Sequence, residues 1–231
     1  MNKIIIDTQK YNLELIEDVY LDIRSNSIID LKLNKEKINL VILNKDKDVS
    51  INLEMLDNTS LTINSLGING NINYNIIQNN NTNLLIVSSI LTKTNSINDI
   101  NINQIGNNNT TKFYTNGINL ENNKLYFNIN GIINKNLNNC YLDEVSKIIN
   151  LGLGDSKIIP NLIIDTKEVI ANHSAFIGTF SNDDLNYLMS RGITKEIAYK
   201  LLIKSILLSN MNLNINIFLQ EISDYIGIGG E

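Results

Sequence analysis

Two side chains in this chain could do metal or nucleophile chemistry: His173, its one histidine, and Cys140, its one cysteine. Imidazole and thiolate are the protein ligands best matched to iron, zinc and copper, and together they can form a nucleophilic dyad. Their numbers limit both options. A closed zinc site within one chain would need two carboxylates besides, and the spacing of His173 and Cys140 demands no dyad. The sequence contains no HExxH, no CxxC and no GxxxxGK[ST]. Gly152-x-Gly154 lacks both the third glycine and the strand–helix context of a dinucleotide loop. On residue chemistry alone, His173 reads first as a structural residue at a strand edge and second as a metal ligand. Cys140 reads first as a small buried hydrophobe, and Asp143, Glu144 and Asp165 as solvated loop charges. Hydrolytic catalysis is disfavoured, and the chain is expected not to be an enzyme.

The elements that must position these residues are strands. From about Ile4 to Ile170 the dominant period is two. "KINLVILNK", "SINLEML", "SLTINSLGINGNINYNI", "NLLIVSSIL", "NDININQI" and "KLYFNINGII" alternate or run apolar in short bursts rich in Ile, Val and Thr. A sandwich or barrel would join such strands by hairpins, for which Asn116-Gly117 and Asn130-Gly131 qualify. Most breaks, however, are Asn clusters such as "QNNNTN" and "IGNNNTT". A solenoid favours Asn at its corners, because Asn tolerates left-handed backbone and its amide can stack coil upon coil. The pattern therefore favours a parallel β-helix, although no exact repeat period shows. With 43 Asn in the chain, no single one is taken as a signal.

After Phe180 the period becomes helical. Ser181 is an N-cap with Asp183 and Asp184 in the first turn, and Leu185, Leu188 and Met189 form a stripe. Arg191 sits near the end of that helix, which Gly192 closes. Thr194 caps a second helix with Ile197, Ala198, Leu201, Leu202, Ser205 and Leu208 on one face, and Ile203, Ile206 and Leu207 outside it. A third stripe runs through Ile215, Phe218, Leu219, Ile222 and Ile226, and the tail "GIGGE" is expected to fray. The helices are expected to cap the open end of the β-stack, with an apolar flank left for a partner.

Nineteen basic residues against 24 acidic ones give a net charge of −5 with no basic cluster, which argues against nucleic acid as the main partner. No apolar run approaches the length of a membrane span. The first 20 residues show no cleavage-site pattern, so no signal peptide is read, and one cysteine excludes an intramolecular disulfide. Both point to the cytoplasm.

The stretch from Pro160 to Leu202 adds a resemblance. It contains Pro160-Asn161-Leu162-Ile163-Ile164, then Ala171-Asn172-His173-Ser174-Ala175, then Tyr187-Leu188-Met189-Ser190-Arg191-Gly192-Ile193. In order and spacing these resemble the C-terminal signature of the SufB/SufD family, the scaffold proteins of iron–sulfur cluster assembly. The resemblance implies a right-handed parallel β-helix over 1–178 and a helical segment over 179–231. It implies a non-catalytic scaffold whose helices dock a SufC-like ABC ATPase, through Leu185, Tyr187, Leu188, Met189, Arg191, Ile193, Leu201 and Leu202. It also implies pairing with a second copy or a SufB/SufD-like paralogue, a transient iron–sulfur cluster, and recipient apo-proteins. His173 matches the family's junction histidine and becomes a candidate iron ligand. Ser174 stands where SufB-like chains carry a carboxylate, which places the chain nearer SufD. A gapless count puts Ser146 in the family's cysteine slot, and Cys140 reaches it only through an insertion. The chain is short for the family, without its N-terminal helical segment. The competing reading is a β-helical binding or structural protein with no cluster role.

Overall fold

The computed structural model describes residues 1–212 and 215–227. Strands and helices appear where the sequence period changes. Odd-numbered strands build one parallel sheet in the order β1 (Asn2–Ile6), β3 (Val19–Ile23), β5 (Lys37–Lys45), β7 (Ser60–Ile68), β9 (Asn83–Thr92), β11 (Thr110–Asn119), β13 (Asn138–Asn150), β15 (Glu168–Gly178). Even-numbered strands build the opposite sheet: β2 (Lys10–Leu15), β4 (Ser27–Leu33), β6 (Asp48–Met55), β8 (Asn71–Gln78), β10 (Ser96–Gln104), β12 (Lys124–Ile133), β14 (Asp155–Ile164). Each coil contributes one strand to each sheet, and every pairing is parallel, as a β-helix requires.

The missing repeat period has a geometric cause. Asn2 lies opposite Val19, Ser60 opposite Asn83, and Thr110 opposite Tyr141. The coil thus lengthens from 17 residues through 23 to 31, by subtraction of those positions. No fixed period can describe a stack that widens as it grows.

Inward side chains of both sheets form one apolar column from Ile6 to Ile148, with Tyr74, Phe113 and Phe127 fully buried. Asn116-Gly117 and Asn130-Gly131 are not hairpin turns but lie inside β11 and β12. Their glycines are close-approach points. A Cβ on Gly117 would meet Leu125 at 2.8 Å and Phe127 at 3.1 Å, and one on Gly131 would meet Leu142 and Leu162 at 2.9 Å.

Asparagine shapes the corners and the outer face. Asn58, Asn81, Asn108 and Asn139 each adopt a left-handed backbone, with φ of 63°, 58°, 59° and 56°. Their amides stack from coil to coil at 3.0, 2.9 and 3.2 Å. A second ladder crosses the even sheet from Asp30 through Asn52, Asn75, Asn101 and Asn130 to Asn161, with rungs of 2.7 to 3.1 Å. Outward Asn at one register is therefore a structural device, not background.

The consecutive apolar runs have a separate reason. In β5, Leu40 and Ile42 face the interior while Val41 and Leu43 face outward beneath the helices. A strand covered on both faces shows no alternation. The covering helices are α1 (Asn182–Ser190), α2 (Lys195–Leu207) and α3 (Ile215–Tyr225). Ser181 and Thr194 are N-caps as expected, accepting from the backbone N–H of Asp183 and Ile197, and Gly192 has φ 84°. The helices do not close the end of the stack. Ile203, Leu207, Met211, Phe218 and Ile222 pack on Val41, Leu66, Val87, Leu91 and Ile118 across the outer face of the odd sheet. Ser89 Oγ donates to the Leu207 carbonyl at 2.6 Å, and Tyr225 Oη donates to Asn69 Oδ1 at 2.6 Å. The sheet offers a broad apolar face there, whereas the end offers only a rim, so hydrophobic burial favours the side. The expected fraying of "GIGGE" falls, beyond Gly227, outside the described residues.

Candidate functional site

The broad end of the solenoid is its last coil, β14 and β15. Among the described residues each ends its sheet, pairing only with β12 and β13 respectively. Pro160 suits this place, since a terminal strand tolerates a missing N–H. The coil is uncovered: Ile170 is 60% exposed and Phe176 51%, with Lys147 Nζ 5.4 Å from the Phe176 ring.

His173 sits in this strand. In register, Cys140 faces Val169, Leu142 faces Ala171, Glu144 faces His173, Ser146 faces Ala175 and Ile148 faces Ile177. All ten therefore belong to one row on the interior side, because strand side chains alternate. Adjacent strands lie about 4.8 Å apart, so His173 and Glu144 are immediate neighbours.

Glu144 is the functional candidate that sequence reading missed. It is not a solvated loop charge: it lies inside β13 and is 1% exposed. Burial pushes its carboxyl up to about 7, against the pull of a hydrogen bond from Ser146. Ser146 Oγ donates to Glu144 Oε1 at 3.2 Å and accepts from Thr115 Oγ1 at 2.6 Å. The other oxygen, Oε2, is buried with no partner. Ser146 and Thr115 continue a column of interior hydroxyls, one per coil, through Ser88 and Ser65. Tyr74 Oη closes it by donating to Ser65 at 2.8 Å. The signal for Glu144 was available as parity: it shares its parity along the strand with Leu142 and Ile148.

Cys140 is not brought to His173. It is 2% exposed, clusters with Ile133, Leu137 and Leu142, and lends its Sγ–H to the Gly106 carbonyl at 3.4 Å. It lies four positions from Glu144, about 13 Å along the strand. Ser146, by contrast, falls two positions from Glu144 in the same row. Among the described residues no group of three or more His, Cys, Asp or Glu could hold a metal within one chain.

The proposed docking residues divide by exposure. Tyr187 (58%), Met189 (44%) and Leu201 (42%) are open to solvent, as is Arg191, and the Arg191 guanidinium lies 5.3 Å from the Tyr187 ring. Leu188, Ile193 and Leu202 are half-buried, and Leu185 is buried. The α2 stripe through Ile197, Leu201 and Ser205 points away from the sheet, and the stripe through Ile203 and Leu207 packs on it.

Residues 154–206, which hold β14, β15, α1 and most of α2, match the family model of the SufBD core domain of the SUF system for FeS cluster assembly. Over these residues the chain is similar to the SufB/SufD family. The match supports a role in SUF-type iron–sulfur cluster assembly, and it begins at the coil that carries His173. No curated protein matches the sequence. Among the described residues no helix is long and apolar enough to cross a membrane.

Proposed function

We propose that this chain is a non-catalytic scaffold subunit of a SUF-type assembly complex, pairing with a second SufB/SufD-like chain along β15 and docking a SufC-like ABC ATPase on α1 and α2. The observation that carries the reading is the terminal strand: β15 leaves one edge unpaired among the described residues and carries His173 beside it. An unpaired edge is a template for another chain, so donors from two chains would meet where one chain lacks enough. His173 serves there as an iron ligand. The flank formed by Tyr187, Met189, Ile197 and Leu201 supports the second contact, since exposed apolar residues grouped on a helix pair mark an interface. The rigid solenoid would transmit motion of the ATPase to the paired edge.

The test is co-expression with a SUF ABC ATPase, followed by affinity capture and light scattering. The expected result is a complex that survives capture and is lost in the Tyr187→Ala/Leu201→Ala variant, together with a dimer that Ile170→Asp/Phe176→Asp converts to monomer. A wild-type chain that stays monomeric and captures no ATPase refutes the proposal.

A further inference from the structure

Resting on the scaffold reading, we infer that Glu144 is a second iron donor beside His173, so that each chain supplies a nitrogen–oxygen half-site completed by a docked partner. Glu144 stands opposite His173 in register, on the same interior row, one coil in from the uncovered end of the solenoid. A buried carboxylate normally meets a cation or several donors. Glu144 has Ser146 on Oε1 and nothing on Oε2. Among the described residues, no hydrogen bond or ion pair engages the His173 imidazole. An orphaned carboxylate oxygen and an exposed imidazole thus lie on neighbouring strands, and the Ser146–Thr115 pair holds the carboxylate from behind, the outer-shell arrangement that orients metal ligands.

The donor set defines the cargo. Imidazole with carboxylate suits a divalent first-row cation such as ferrous iron, and it offers no thiolate for sulfide chemistry. Two donors leave the cation's remaining positions to water, to sulfide or to side chains of the second chain. Glu144 lies outside the residues that match the family model, in the preceding coil.

The test is an anaerobic titration of the full chain with Co²⁺, read by its visible absorption, and with Fe²⁺, read by equilibrium dialysis. Wild type is expected to take up the cation, Glu144→Gln to bind at least about 10-fold more weakly, and His173→Ala to lose binding. Ser146→Ala, which frees the carboxylate, is expected to weaken binding by a smaller factor and covers the case of a poorly folded Glu144→Gln. Wild-type affinity in Glu144→Gln overturns the inference even if His173→Ala loses the cation, and that result leaves the scaffold reading standing. A wild-type chain that takes up neither cation also overturns it. Failure to capture the ATPase would instead sink the scaffold reading.

Discussion

Asn81 is the sharpest point at which to test whether the amide ladders hold the coils together. It has φ of 58°, donates its amide to Asn58 at 3.0 Å and accepts from Asn108 at 2.9 Å. Asn81→Ala removes both bonds and forces a Cβ into the left-handed region. Each exposed bond contributes about 0.5–1 kcal/mol, and the left-handed conformation costs alanine about 1–2 kcal/mol. The sum is a destabilisation of roughly 2–4 kcal/mol. Asn81→Gly removes the same bonds without that backbone strain, adding about 0.5–1 kcal/mol for chain entropy. Glycine should therefore be less harmful than alanine, yet worse than asparagine. Urea denaturation by far-ultraviolet circular dichroism measures the difference, and hydrogen exchange at Asn58 and Asn108 reports whether the loss is local, as a stack of neighbour-coupled coils requires. Alanine within about 0.5 kcal/mol of wild type would show that the ladders decorate the corners rather than hold them.

Three further outcomes follow from named contacts. Leu207→Ala, at a fully buried site under α2, should cost about 2–5 kcal/mol, and hydrogen exchange should rise in the helices while the coils around Ile63 stay protected; equal loss in both would contradict helices docked on an independently stable sheet. The Asp22 carboxyl is raised by burial but held below its usual range by Lys3 at 3.0 Å and Arg24 at 3.1 Å. Its contribution is therefore present above the unfolded pKa of about 3.9 and is lost as pH falls through the lower folded value; Asp22→Asn should cost up to about 1 kcal/mol near neutrality and nothing in strong acid, as urea midpoints at the two extremes would show. Cys140→Ala should leave Co²⁺ uptake unchanged, and native Cys140 should resist bulky thiol reagents until urea opens the stack; fast modification of the native chain would contradict its burial.

Strands, corners and caps were legible because they are local. Alternation in "SINLEML" reports one wet face, left-handed Asn reports a corner, and Ser181 and Thr194 report helix starts. The rest depended on what covers what. "KINLVILNK" runs apolar because helices far along the chain lie over β5, and no window of sequence contains both. Period alone could not choose between the two apolar stripes of α2, and the sheet selected Ile203 and Leu207. Glu144 was misread because charge was weighed ahead of its place in the row of Leu142 and Ile148. His173 was marked by resemblance, but its neighbour emerged only from register.

The widening of the coils has a consequence for assembly. A solenoid of constant girth can join head to tail, one copy's first turn seating on another's last, and polymerise without limit. Here the first turn holds 17 residues and the later ones up to 31, as the paired positions show. The rims do not match, so end-on contacts leave groups unmet, and only like ends have equal outlines. For two copies of these coils meeting end to end, only turns of equal girth would match rung for rung.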